Sequence, residues 1–79
     1  SWYVYILKCA DDTLYTGITN DKERRLKQHN AGTASKYTRG KRPVVMIYSE
    51  PSQDRSSASK REIAIKRLTR KQKLSLIGH

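Results

Sequence analysis

Phenylalanine is absent from this 79-residue chain, and cysteine and tryptophan occur once each. A lone Cys9 cannot close an internal disulfide, which points to a reducing, intracellular setting, the cytoplasm. One cysteine and two histidines, the second being the C-terminal His79, are too few ligands for a structural zinc centre. No apolar run approaches the roughly 20 residues needed to cross a bilayer. Acidic residues are also scarce, seven against 17 Lys and Arg, for a net charge of +10. The imbalance is local. Residues 1–21 carry net −2, and residues 22–73 carry net +12. Charge of that density on so small a body attracts polyanions, nucleic acid first among them. A merely solubilising cationic surface is the plainer reading, but it costs self-repulsion. An anionic membrane is the other polyanion, yet no basic helix carries a broad aromatic or leucine face.

What is present is enough for one thin core in a single domain spanning 1–79. Trp2 to Cys9 is aromatic and β-branched and reads as a strand covered on both faces. Ala10 to Thr13 is turn chemistry, and Leu14 to Thr19 reads as a second strand, making a hairpin. Gly17 inside that strand signals a bulge or a close backbone approach. Asn20 or Asp21 caps a helix that runs to about Ala31 and stops at Gly32. Residues 33–42 form a polar basic segment with at most one helical turn. Pro43 opens a third strand, Val44 to Tyr48, bounded by Pro51. Ser56 or Ser57 caps a longer helix to about Leu68, with Ala58, Ala64, Ile65 and Leu68 on one face and Glu62 at its edge. Thr69 and Gln72 have capping-box spacing for a last short helix with Leu74, Leu76 and Ile77 on its apolar side. The predicted fold class is α+β, a small three-stranded antiparallel sheet flanked by helices.

Five side chains have the chemistry a phosphodiester hydrolase needs. Tyr5 and Tyr15 share a sheet face if paired residue numbers sum to an even value, as a three- or five-residue loop gives. Arg25 and His29, four apart, stack on one helix face. Arg25 offers a planar fork suited to phosphate. Glu62 is a carboxylate able to hold Mg²⁺ with water in the remaining positions. Each has an ordinary reading as well. Strand tyrosines usually pack with the hydroxyl at the surface, a histidine on a polar helix is usually solvated, and Glu62 among Lys60, Arg61, Lys66 and Arg67 suits a surface ion pair. Residue types and spacing by themselves support nucleic-acid binding rather than catalysis.

The ordered set goes further. Tyr3-Val4-Tyr5, ten residues on to Tyr15-Thr16-Gly17, ten more to Arg25 and four to His29, with Asn20, Arg24 and Leu26 between, resembles the GIY-YIG nuclease signature. Glu62 in Lys60-Arg61-Glu62-Ile63-Ala64 looks like that family's metal-binding glutamate. The resemblance covers nearly the whole chain and is closest to the small stand-alone YhbQ-like group. Two motif positions depart from the pattern, Tyr3 for glycine and Thr16 for isoleucine.

The resemblance implies a DNA endonuclease dependent on Mg²⁺ or Mn²⁺, cutting particular structures in repair or recombination. It implies Tyr15 as general base, or as the contact to the nucleophilic water. Tyr5 would orient water or phosphate, and Arg25 would stabilise the pentacovalent phosphate. His29 would assist proton transfer or position Tyr15, and Glu62 would bind the metal. Gly17 would admit the phosphate backbone, with Lys36, Thr38 and Arg39 as substrate contacts. DNA is favoured over RNA as partner. With no separate recognition domain in these 79 residues, affinity is expected to come from phosphate contacts and to weaken steeply with salt. Two other classes stay open: a non-catalytic nucleic-acid-binding module of the same fold, and a structural cationic protein of a ribonucleoprotein particle.

Overall fold

The computed structural model describes residues 1–78, and His79 lies outside them. Strands β1 (Trp2–Lys8) and β2 (Leu14–Thr19) form the expected hairpin. Their register runs from Tyr3 opposite Thr19 to Lys8 opposite Leu14. That leaves a five-residue connection, in which Asp12 takes a positive φ of 70° and Asp11 accepts hydrogen bonds from the Thr13 amide and hydroxyl. The paired numbers sum to an even value, so Tyr5 and Tyr15 project from one face.

The third strand, β3 (Val45–Ser52), begins later and runs further than Val44 to Tyr48. Pro51 does not bound it; Pro51 pairs with Tyr3 inside it. The sheet order β2-β1-β3 explains this, because β3 is an edge strand and an edge tolerates a residue without an N–H. A register shift between Ile6 and Leu7 leaves Ile47 unpaired between Met46 and Tyr48.

Helix α1 (Lys22–Ala31) is capped by Asp21, whose side chain accepts from the Arg24 amide, and ends at Gly32 in the left-handed region. Helix α2 (Lys36–Arg39) is a single turn capped by Ser35, within the segment read as irregular. Helix α3 (Arg55–Lys66) starts at Asp54, not at Ser56 or Ser57, because the Asp54 carboxylate reaches the Ser57 amide at 2.8 Å. Helix α4 (Arg70–Ile77) has the capping box of Thr69 and Gln72.

The sheet divides the core in two. Val4 and Ile6 pack with Ala58 and Ile65 of α3, supported by Leu14, Ile18, Leu76 and Ile77. Tyr5, Leu7, Cys9 and Val44 pack on the other side with Tyr15, Leu26 and Met46. The inward stripe of α3 is narrower than the apolar wheel suggests: Ala64 is exposed and Leu68 only half-buried. A residue and its seventh neighbour, Ala58 and Ile65, share the contact line, while Ala64 lies one position, about 100°, off it.

Alternation along β2 turns Thr16 toward the α3 side, where it is buried and its hydroxyl has no partner among the described residues. A desolvated hydroxyl without a partner costs about 1–3 kcal/mol. Thr16→Val keeps the shape and removes the hydroxyl, so it is expected to stabilise the protein by about 1 kcal/mol in urea unfolding. Unchanged or lower stability would mean that the hydroxyl is satisfied.

Candidate active site

The site is built around a missing Cβ. Tyr5 stands on the central strand opposite Gly17. A Cβ on Gly17 would lie 2.5 Å from the Tyr5 hydroxyl and 2.7 Å from Cζ. The absent side chain lets the Tyr5 ring lie flat across β2 toward the outer edge of the sheet. Gly17 is therefore a close-approach glycine, as the strand pattern suggests. The group that approaches is Tyr5, and Gly17 itself is buried. No bulge interrupts the β1–β2 ladder there.

Tyr5 is 1% exposed, and its hydroxyl meets His29 Nε2 at 2.8 Å. His29 is fully buried, not solvated, despite the polar sequence of α1. Its helix shows Arg25, Leu26 and His29 to the sheet, a stripe too short to register as an apolar face. On the far side of the imidazole, Nδ1 lies 2.8 Å from the Thr38 hydroxyl. Thr38 in turn donates to the Ser35 carbonyl at 3.3 Å. With the Thr38 proton committed there, its oxygen accepts from His29 Nδ1–H, and Nε2 is left to accept from the Tyr5 hydroxyl. The proton order runs from Tyr5 through His29 and Thr38 to a backbone carbonyl.

Electrostatics agree with that order. Burial, and secondarily the Arg25 charge, lowers the His29 pKa from its ordinary 6.5 to about 4, so the ring is neutral at pH 7. Burial raises the Tyr5 pKa above 10. Arg25 opposes the rise, and Tyr15 and Glu62 add to it. Tyr5 thus feels Arg25, Tyr15 and Glu62 together, although they come from three different elements.

Tyr15 meets the same imidazole edge-on, with ring centroids 5.2 Å apart, and stacks on Tyr37 at 5.6 Å. The Lys41 ammonium sits 4.2 Å from the Tyr37 centroid. The Tyr15 hydroxyl takes no protein partner among the described residues. Arg25 donates to Gln28 at 3.2 Å, and its Nε is buried without a partner. Glu62 pairs with Lys66 at 3.2 Å and keeps 20% of its side chain exposed.

The structure thus brings Tyr5, Tyr15 and His29 together on one side of the sheet with Arg25 of the same helix as His29, whereas Glu62 stands on α3, the helix packed against the other side. The basic segment divides. Lys36 and Arg39 are exposed on α2, where a polyanion can reach them. Thr38 is fully buried behind His29, so it holds the imidazole and offers no surface to substrate. Tyr37 is the residue that sequence reasoning passed over. An aromatic at 43% exposure amid Lys36, Arg39 and Lys41 was the available signal.

No group of three or more His, Cys, Asp or Glu that could hold a metal occurs among the described residues. A cation here would rest on Glu62 alone. Its part-exposed carboxylate, within electrostatic reach of Tyr5, suits a hard ion that keeps most of its water. To bind, the ion must displace Lys66.

Comparison with known proteins places the chain in a family. A model of the GIY-YIG catalytic domain matches residues 1–75. A UPF0213 protein of Clostridium perfringens is 56% identical over 96% of this chain and 82% of its own length. One from Staphylococcus haemolyticus is 51% identical over 95% and 92%. The solution NMR structure of the Bacillus halodurans UPF0213 protein superposes with a TM-score of 0.61 at 39% identity, covering 96% of this chain and 81% of that one. A second NMR structure, from Enterococcus faecalis, gives 0.61 at 45% identity, covering 94% and 80%. This chain belongs to the GIY-YIG family and, within it, is akin to the UPF0213 proteins, a small stand-alone group.

Proposed function

We propose that this chain is a single catalytic domain that hydrolyses phosphodiester bonds in DNA with the help of one Mg²⁺ or Mn²⁺ ion. Its setting would be the cytoplasm, and its substrates the nicked, flapped or branched DNA of repair and recombination. The observation that carries the reading is the convergence of two tyrosines and a neutral histidine on one sheet face, with an arginine on the same helix as the histidine. Binding alone requires none of that geometry.

The roles follow from the chemistry of each position. Arg25 would present the terminal nitrogens of its guanidinium to the phosphoryl oxygens, where charge builds in the transition state. Tyr5 keeps its proton, because burial raises its pKa and His29 accepts its hydrogen bond. It would therefore orient the attacking water, which donates to its oxygen lone pairs. Tyr15, with its hydroxyl unengaged, would take the proton of the nucleophilic water as its phenolate, having first given up its own proton to solvent. His29 braces both rings. Glu62 would hold the metal, which supplies charge neutralisation at the scissile phosphate and the leaving oxygen. Lys36 and Arg39 would contact the strand beyond the centre.

The test is cleavage of a labelled panel at low salt with Mg²⁺, Mn²⁺ or EDTA. The panel holds single-stranded, duplex, nicked, flapped and branched DNA, and RNA. Wild type is expected to cut DNA only with metal. Tyr15→Phe, Arg25→Ala and Glu62→Ala are each expected to lose about a hundredfold in rate while still binding. Binding without cutting by pure wild type would instead favour a non-catalytic module. Cutting that survives all three substitutions would remove these residues from the mechanism.

A further inference from the structure

A groove of about 290 Å³ opens where the end of β2, the first half of α1 and the start of α3 meet. Trp2, Asn20, Arg24, Arg25, Gln28 and Arg55 line it, and no carboxylate does. Three guanidiniums thus share a small concavity. None of them forms a salt bridge among the described residues, whereas Lys8, Lys41, Arg61 and Lys66 all do. Arg55 rests on the indole of Trp2, 5.6 Å from the ring centroid. Arg24 is exposed. Like charges gathered without a counter-charge repel one another, and an anion relieves the repulsion. The groove is not an isolated patch, because Arg25 belongs both to it and to the catalytic cluster.

We infer that this groove binds a second phosphate of the nucleic-acid strand, flanking the phosphate at the catalytic centre, between Arg24 and Arg55. The inference rests on the nuclease reading for the strand's path, though it concerns binding and not cleavage. Arg25 marks the boundary between the two phosphates. Asn20 and Gln28 add neutral hydrogen-bond donors to the groove walls. The flat indole beneath Arg55 holds that guanidinium in place without consuming its N–H donors. The groove would then fix which way the strand leaves the centre.

The experiment uses the full chain and single-stranded oligonucleotides in EDTA, so that no bond is cut. Each oligonucleotide carries one neutral methylphosphonate, moved along the strand. Wild type is expected to lose affinity at neighbouring linkages, those over the centre and that over the groove. Arg24→Ala/Arg55→Ala is expected to bind three- to tenfold more weakly at low salt. Its slope of log K against log salt should become shallower by about 0.7, the contribution of one phosphate of a single strand. One linkage should become silent in the scan while the others stay sensitive. Trp2 is the sole tryptophan, and its emission should change on binding in wild type and not in Arg55→Ala. The control Arg67→Ala/Lys71→Ala removes the same charge from exposed positions outside the groove. Equal weakening by the control, or an unchanged linkage profile in the groove variant, would overturn the proposal. Failure to cleave in the metal assay would leave these binding results intact, so the two readings fail separately.

Discussion

Gly17→Ala is expected to cost this protein about 2–4 kcal/mol of stability and to reduce cleavage by two orders of magnitude or more. The added Cβ would stand 2.5 Å from the Tyr5 hydroxyl and 2.7 Å from Cζ, distances that real Cβ contacts do not sustain. The Tyr5 ring cannot swing aside, because it is buried and tied to His29 at 2.8 Å. Overpacking of this kind costs about 1–3 kcal/mol, and losing the Tyr5–His29 bond adds about 1 kcal/mol. A displacement of about 1 Å at a catalytic group is enough for a hundredfold loss of rate. The attribution is checked by a double-mutant cycle in urea. In a Tyr5→Leu background the obstructing ring is gone, and Gly17→Ala should be neutral or stabilising, since glycine within a strand costs about 0.5–1 kcal/mol relative to alanine. Equal cost in both backgrounds would place the strain elsewhere.

The second large effect is a stability that drains away in mild acid. His29 has a folded pKa of about 4 against an ordinary 6.5, chiefly because burial disfavours the imidazolium. Between those values the unfolded chain binds a proton that the folded chain refuses, so stability rises with pH across the window. The contribution is complete above about pH 6.5 and is lost as pH falls toward 4. Two and a half units correspond to about 3 kcal/mol, a large share of the roughly 4–12 kcal/mol available to a domain of this size. Urea unfolding at pH 7.5 and 4.5 should show wild type losing about 2–3 kcal/mol more than His29→Gln, a comparison in which the carboxylates cancel. The His29 ring nitrogens, followed by NMR, should remain those of a neutral Nδ1–H tautomer down to about pH 4. Titration near 6.5 would contradict both the burial and the hydrogen-bond order.

What the sequence made legible was whatever depends on neighbours in the chain. The hairpin and the Thr69–Gln72 capping box follow from local turn and cap chemistry, and both are present; the connection is one residue longer than the Ala10 to Thr13 turn, because Cys9 falls outside the ladder. The errors fall where a tertiary contact decides, or where two local caps compete. Pro51 resembles a strand stop until β3 is known to lie at the edge. Ser56 and Ser57 resemble caps, but Asp54 lies two residues upstream of Ser56 with the stronger acceptor. Ala64 fits an apolar wheel whose actual contact stripe is narrower. The candidate site shows the same division. Order and spacing single out the five side chains, but not that His29 is fully enclosed, that Thr38 holds its Nδ1, or that Gly17 is small for the sake of Tyr5. Each depends on a partner from a different element, and neither helical nor strand periodicity relates the two members of those pairs.

The middle strand has a further consequence. β1 is bonded along both sides, to β2 and to β3, and carries Tyr5 in its centre. Its amides can reach deuterated solvent only when the whole sheet comes apart, whereas α4, which fully buries no residue, can open by itself. In an exchange experiment the Tyr5 amide would be among the last to label and those of α4 among the first. Thermal agitation short of global unfolding would loosen the C-terminal end and leave the catalytic rings in register, so the arrangement is as durable as the fold that carries it.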